Sequence, residues 1–169
     1  MIRPVLKYGA PELVSTSSPI TRFDDEIESL ARDMLETMYA APGIGLAAPQ
    51  VGINLRLIVV DISGGEEQGH QMVLVNPEIT EQEGSQEGEE GCLSIPGFTA
   101  VVERPSRVVV SARNLDGNPQ GIEADGLLAR VLCHEVNHLD GILYLDCISV
   151  LKRDLIKRKI RKLVRAGEW

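Results

Sequence analysis

The fold of this chain is decided by residues 127–139, which read LLARVLCHEVNHL. Apolar residues recur in this stretch at helical spacing, so it predicts a helix that is buried in the domain. Two imidazoles, on His134 and His138, are four residues apart and therefore share one face of that helix. Buried histidines need partners, and one divalent metal ion would supply them.

Glu135 adds a carboxylate beside the first of these histidines. A divalent ion lowers the pKa of its water towards neutrality, and a carboxylate at this spacing can then manage the protons. The pattern therefore indicates metal-assisted hydrolysis. The alternative is a chance occurrence on an exposed helix. The metal site is favoured over it because only His70 lies outside the motif.

The segments around this helix predict an α+β domain, with antiparallel strands packed around the buried central helix. A first helix begins at Asp24 or Asp25, and a last, basic helix covers about residues 152–165. Pro77 indicates an edge strand or a bulge, and the acidic, glycine-rich residues 81–90 predict a loop. Strands are predicted over residues 55–61, 72–79, 98–103, 107–113 and 120–124. We expect one domain over residues 1–169.

The overall composition suits a globular enzyme that works inside the cell. Of the 169 residues, 43% are hydrophobic and 25% are charged, as is usual for globular domains. The chain shows neither a membrane-spanning apolar run nor the apolar core of a signal peptide, so we expect no membrane contact and a cytoplasmic location. Its three cysteines, an odd number, favour free thiols or a metal ligand over a disulfide framework.

The charge of the chain is unevenly distributed. The net charge is −8, yet the segment from Lys152 to Trp169 holds eight Lys or Arg against two acidic residues. Such a segment can dock on a polyanion, or it can be a solvated helix face, and the two interpretations are equally supported.

An open catalytic site needs a third protein ligand besides the two histidines. No histidine follows His138, and the downstream aspartates Asp140, Asp146 and Asp154 have no surrounding motif. Cys92 is the better candidate, since it follows a glycine in a loop of small residues and a thiolate is a strong ligand for a divalent metal. The alternative for Cys92 is a buried, inert thiol.

Residues 43–52, GIGLAAPQVG, form a loop rich in small residues. The loop lacks the Lys-Ser/Thr ending of a phosphate-binding loop and the third glycine of a dinucleotide fingerprint, so no nucleotide cofactor is expected. Small residues here allow a backbone to approach a ligand closely, although a tight connection between helix and strand would use them too.

Three motifs of this chain together resemble the peptide deformylases. They are GIGLAAPQ at 43–50, EGCLS at 90–94 and HEVNH at 134–138, in the order and spacing of that family, and the resemblance covers essentially the whole chain. It implies removal of the formyl group from the N-terminal formylmethionine of new polypeptides, with release of formate. Ribosome contact through the basic C-terminal helix is also plausible from it.

The resemblance implies a role for each matched residue. Cys92, His134 and His138 would bind the metal, natively Fe²⁺, which Zn²⁺, Ni²⁺ or Co²⁺ can replace. Glu135 would be the general base and then the acid. The side-chain amide of Gln50 and the backbone N–H of Leu93 would stabilise the oxyanion. The methionine would lie against five residues that are otherwise plain core or loop positions: Gly43, Ile44, Gly45, Leu127 and Val131.

Three positions depart from the family pattern. Asn137 stands where aspartate is usual, Cys133 where glutamine is usual, and Arg130 where an apolar residue is often found. Glu90 and Arg104 are candidates for an ion pair that fixes the cysteine loop, or are two exposed charges of little energetic value. Two other functions compete with deformylation, namely a zinc endopeptidase built on the same pentapeptide and an inactive homologue that binds nascent chains or ribosomes through its basic tail.

Overall fold

The computed structural model describes residues 1–169, which form three α-helices and seven β-strands. The helices are α1 (Asp25–Ala40), α2 (Gly126–Leu139) and α3 (Val150–Arg165). The strands are β1 (Gly45–Ala47), β2 (Leu57–Val60), β3 (Met72–Glu83), β4 (Gln86–Cys92), β5 (Ile95–Arg104), β6 (Arg107–Arg113) and β7 (Pro119–Asp125). No helix is both long and apolar enough to cross a membrane.

Two antiparallel sheets surround α2. Five strands form one sheet in the order β1-β2-β3-β6-β7, and β4 pairs only with β5 in a separate hairpin. Helix α2 packs on one face of the large sheet and α1 on the other. In β2, Ile58 and Val60 therefore face α2, whereas Leu57 and Val59 face α1, which explains why this strand is apolar throughout. The predicted α+β class is confirmed.

A third apolar cluster attaches the hairpin and α3 to the rest of the protein. It joins Ile95 and Val102 of β5 to Leu143 and Tyr144, which follow α2, and to Ile160 of α3. Ile160 is the only buried residue of α3, so most of that helix faces solvent.

The structure corrects one expectation from the sequence and decides between the two alternatives for Pro77. Residues 81–90 are not a loop, because β3 continues to Glu83 and β4 begins at Gln86 after a turn at Gly84, whose φ is +68°. Backbone pairing, not apolar alternation, makes this region a strand. Pro77 does not mark an edge strand, since β3 lies inside the sheet. It lies at the register shift between Val75 and Glu78, which is a bulge.

Candidate active site

Three potential metal ligands converge between α2 and the hairpin. His134 and His138 project from the same face of α2, with their Nε2 atoms 3.2 Å apart. Cys92 ends β4, and its Sγ lies 3.4 Å from Nε2 of His138. All three ligand atoms lie within 4.8 Å of one another. One thiol and two imidazoles that converge in this way are a donor set that fits a single divalent transition metal.

The buried environment of His138 suits a ligand. Its side chain is 1% exposed, and burial lowers its pKa well below the usual value, so the imidazole stays neutral. A neutral imidazole is the form that binds a metal.

Glu135 lies in the same turn of α2 and is also buried. Burial raises the pKa of its carboxyl to about 7, although the nearby His134 acts in the opposite direction. Its Oε1 has no hydrogen-bond partner in the protein. A carboxyl group with a pKa near neutrality can both accept and return a proton, as a general base and acid must.

A buried charge network orients His134. Nδ1 of His134 lies 2.9 Å from Oε1 of Glu90, and Arg104 donates two hydrogen bonds of 2.9 Å to the same carboxylate. Burial alone would raise the pKa of Glu90, but the bonds from Arg104 and His134 lower it to about 2. Both side chains are buried, so this is an internal ion pair and not two exposed charges. By holding Nδ1, Glu90 leaves Nε2 of His134 facing Cys92 and His138.

Asn137 and Arg130 extend this network in ways that sequence reasoning missed. Nη1 of Arg104 donates to Oδ1 of Asn137 at 2.6 Å, so the amide oxygen fills an acceptor role at this departure from the family pattern. Arg130 is 5% exposed and donates to Glu90 at 2.7 Å. The only signal in the sequence was a charged residue within the apolar stretch that precedes His134. Cys133 packs in the core between α2 and the sheet.

Gln50 reaches the site from the short 3-10 helix Ala48–Val51. Its Oε1 accepts a hydrogen bond of 2.9 Å from the backbone N–H of Ala47, which fixes the orientation of the amide. Nε2 consequently donates to Ser94 Oγ at 3.1 Å and points to Cys92 Sγ at 3.7 Å. A preorganised amide donor thus lies beside the potential metal ligands.

A cavity of about 410 Å³ opens above these groups. Leu93, in the turn between β4 and β5, lines it together with Cys92, Gln50, His134 and Glu135, whereas His138 lies beneath. Leu127 is 50% exposed at its mouth, so it is not a core residue. The cavity is lined by all five residues expected to contact the substrate, namely Gly43, Ile44, Gly45, Leu127 and Val131. Arg130 also lines it, as does Phe98, which was not expected there.

Comparison with known proteins assigns the family. The model of the polypeptide deformylase family matches residues 2–154. The chain belongs to this family. A peptide deformylase from Acidobacterium capsulatum is 51% identical, over 100% of this chain and 99% of the relative. The resemblance seen in the three motifs is thereby confirmed.

Solved structures agree with the family assignment. A peptide deformylase from Legionella pneumophila has a TM-score of 0.91 at 44% identity, covering 99% of this chain and 98% of that one. One from Synechococcus elongatus, in complex with actinonin, has a TM-score of 0.88 at 42% identity, covering 99% and 90%. The chain is therefore a metal-dependent hydrolase that removes the N-formyl group from new polypeptides. Its Cys92, His134 and His138 form a candidate metal site.

Proposed function

We propose that this chain removes the formyl group from N-terminal formylmethionine and releases formate, with its metal held by Cys92, His134 and His138. The observation that carries the proposal is the convergence of these three side chains at one cavity. Glu135 is the residue for proton transfer there, because it is buried beside the ligands and has a pKa near 7.

Glu135 handles the protons of the reaction. A divalent ion, when bound, supplies Lewis acidity and lowers the pKa of water. Glu135 takes the proton from the attacking water and passes it to the nitrogen of the leaving amine. The low dielectric around its carboxylate favours the protonated form, so Glu135 is a stronger base than an exposed carboxylate. Its pKa of about 7 still lets it give the proton to the more basic amine nitrogen.

Gln50 and Leu93 stabilise the oxyanion that develops on the formyl oxygen. Gln50 contributes its Nε2, which the Ala47–Gln50 hydrogen bond already aims at the site. Leu93 contributes its backbone N–H from the turn that follows Cys92. One preorganised donor of this kind is worth about 3–4 kcal/mol in comparable sites.

The apolar part of the cavity binds the methionine side chain. Ile44 and Val131 form its walls and Leu127 its mouth. Burying a methionine side chain is worth about 1.5–3 kcal/mol. Gly43 and Gly45, which lack side chains, let the peptide backbone of the substrate approach the first strand of the sheet.

The metal is expected to be Fe²⁺ natively, with Ni²⁺, Co²⁺ and Zn²⁺ as replacements. The Cys92 thiolate donates charge and softens the Lewis acidity of the ion compared with a third histidine. It also exposes the site to oxidation, because both ferrous iron and a thiolate react with oxygen. Aerobic handling of the iron form should therefore abolish formate release and oxidise Cys92, as mass spectrometry would show. Unchanged activity and an unmodified Cys92 would rule this out.

Helix α3 is the surface proposed to contact the ribosome in the cytoplasm. Its solvent face carries the basic side chains of Arg158, Lys162 and Arg165, which suit a polyanionic partner. Deleting the helix would also remove the buried Ile160, so charge reversal of these three residues is the cleaner test. We expect the reversed protein to lose cosedimentation with ribosomes and to keep deformylase activity. Reversal of Arg22, Arg32 and Arg113 is the matched control.

The decisive experiment measures formate release from an N-formylmethionyl tripeptide by protein that was purified anaerobically with iron. We expect rapid release by the wild type. We expect none by Glu135→Gln, although that variant should still hold one metal ion per chain, because Glu135 is not a ligand. An absence of release from metal-loaded wild-type protein would refute the proposed function.

A further inference from the structure

The candidate metal site lies between two parts of the fold that share no backbone pairing. Cys92 belongs to the hairpin of β4 and β5, which forms no ladder with the five-stranded sheet. His134 and His138 belong to α2, which packs on that sheet. The distance between the thiol and the two imidazoles therefore depends on side chains that connect the hairpin to α2.

Arg130 makes the most direct of these connections. Its side chain is buried, and Nη1 donates to Glu90 Oε2 at 2.7 Å, to the carbonyl of Val102 at 2.9 Å and to the carbonyl of Gly88 at 3.2 Å. Nη1 of Arg130 thus contacts the backbones of both strands of the hairpin and the carboxylate that orients His134.

Arg104 cannot replace Arg130 in this role. Arg104 lies on β5, so its paired hydrogen bonds with Glu90 remain within the hairpin. Its one bond to α2 is the bond to Asn137. Arg130 lies on α2 itself, one turn before His134, and all its hydrogen bonds therefore cross from the helix to the hairpin.

Gly88 makes room for the guanidinium of Arg130. A Cβ at this position would lie 2.9 Å from Nη2, 3.0 Å from Cζ and 3.1 Å from Nε of Arg130. These are three atoms of one rigid, buried group, which has little freedom to move aside. The absence of a side chain at Gly88 is thus what allows Arg130 to reach across to the hairpin.

We propose that Arg130, seated against Gly88, is a positioning residue that sets the separation of Cys92 from the two histidines and thereby the retention of the metal. The inference rests on the proposed function for its assignment of the three ligands. Groups that orient metal ligands typically change metal affinity by about 10–100-fold when they are removed.

The test measures how tightly the protein holds Co²⁺, whose visible absorption reports both the thiolate ligand and the coordination geometry. Two variants perturb the connection independently. Arg130→Met keeps a long side chain without donors, and Gly88→Ala adds one methyl group against an intact arginine. The matched controls are Arg107→Met, on the surface of β6, and Gly121→Ala, where a Cβ would meet nothing within 4 Å.

We expect both variants to fold, as judged by circular dichroism of the metal-free proteins, and to release Co²⁺ to a chelator about 10–100-fold faster than wild type with an altered spectrum. The double variant should be no worse than Arg130→Met alone, because Gly88→Ala acts through the guanidinium. If Arg130→Met does not fold, Gly88→Ala alone decides the question.

Two failures can be told apart. Wild-type protein that binds no Co²⁺, or a spectrum that Cys92→Ser leaves unchanged, would refute the ligand assignment and with it the proposed function. Wild-type binding through Cys92, with Co²⁺ release and spectra unchanged in both variants, would overturn the role of Arg130 only.

Discussion

Gly45 is the position where one added methyl group should directly displace the proton-transfer residue. A Cβ at Gly45 would lie 2.7 Å from Oε2 of Glu135 and 3.0 Å from both its Cδ and its Cγ. The backbone of Gly45 does not have a positive φ, so alanine is tolerated there conformationally. Glu135 is only 2% exposed, so its carboxylate has to rearrange within a buried site.

The size of the effect follows from this geometry. Restoring an ordinary contact of 3.4 Å requires Oε2 to move by about 0.7 Å. A displacement of about 1 Å at a reacting group can cost about 100-fold in rate, so a shift of this size corresponds to about 25-fold, or about 2 kcal/mol in the activation free energy. Gly45→Ala should lower kcat by this amount and leave the metal in place.

The assay is steady-state formate release from an N-formylmethionyl tripeptide, together with a measurement of metal content. Because the change acts on Glu135, we expect kcat to fall with little change in KM, whereas loss of a contact between Gly45 and the substrate backbone would raise KM. Gly121→Ala serves as the control for adding a methyl group to a strand glycine. A Gly45→Ala enzyme with wild-type kcat and full metal content would refute the argument.

Three further predictions follow from the same structure. Glu90→Gln should lower the free energy of unfolding in urea by about 3–5 kcal/mol, because it leaves two buried guanidinium groups without their carboxylate. Glu87→Gln, at an exposed position, is the control, and equal stability of the two variants would contradict the prediction. Gln50→Ala should lower kcat for formate release by about 100–1,000-fold through loss of an oxyanion donor, and a rate near wild type would remove Gln50 from the mechanism. Burial alone would raise the pKa of Asp61, but hydrogen bonds from Ser63 and Tyr39 lower it below the usual 3.8. The ionised carboxylate therefore stabilises the fold above pH 3.8, and this contribution is lost as the pH falls further. Asp61→Asn should thus lose less stability than the wild type on acidification, and parallel curves of stability against pH would disprove this role.

Local spacing explains why the two histidines of the candidate site could be predicted from the sequence. His134 and His138 share a face because of the pitch of an α-helix, and that relation holds wherever the helix is placed. The apolar flanks of the motif likewise predicted burial of α2, which the structure confirms. Cys92 was favoured as the third ligand because it follows a glycine in a loop of small residues, yet that pattern left an inert thiol as the alternative, and only the family resemblance implied a ligand role.

The hairpin shows where sequence reasoning failed. Residues 81–90 alternate mostly among glutamate, glycine and glutamine, so no apolar period marks them as strand. Pairing with β5 supplies their structure, and only the folded chain brings β5 alongside. The same hairpin carries Gly88 and Glu90, so the contacts of Arg130 with these residues could not be predicted from the sequence either.

The sequence by itself determined the chemistry of this protein, because the identity and helical spacing of His134, Glu135 and His138 limit what those groups can do together. Tertiary structure decided how that chemistry is held in place. The contacts from Gln50 to Cys92 and from Arg130 to Glu90 join residues 42 and 40 positions apart, across elements that do not pair with each other. Such contacts follow from how helices and strands pack, and that packing is a property of the whole chain that no local pattern encodes.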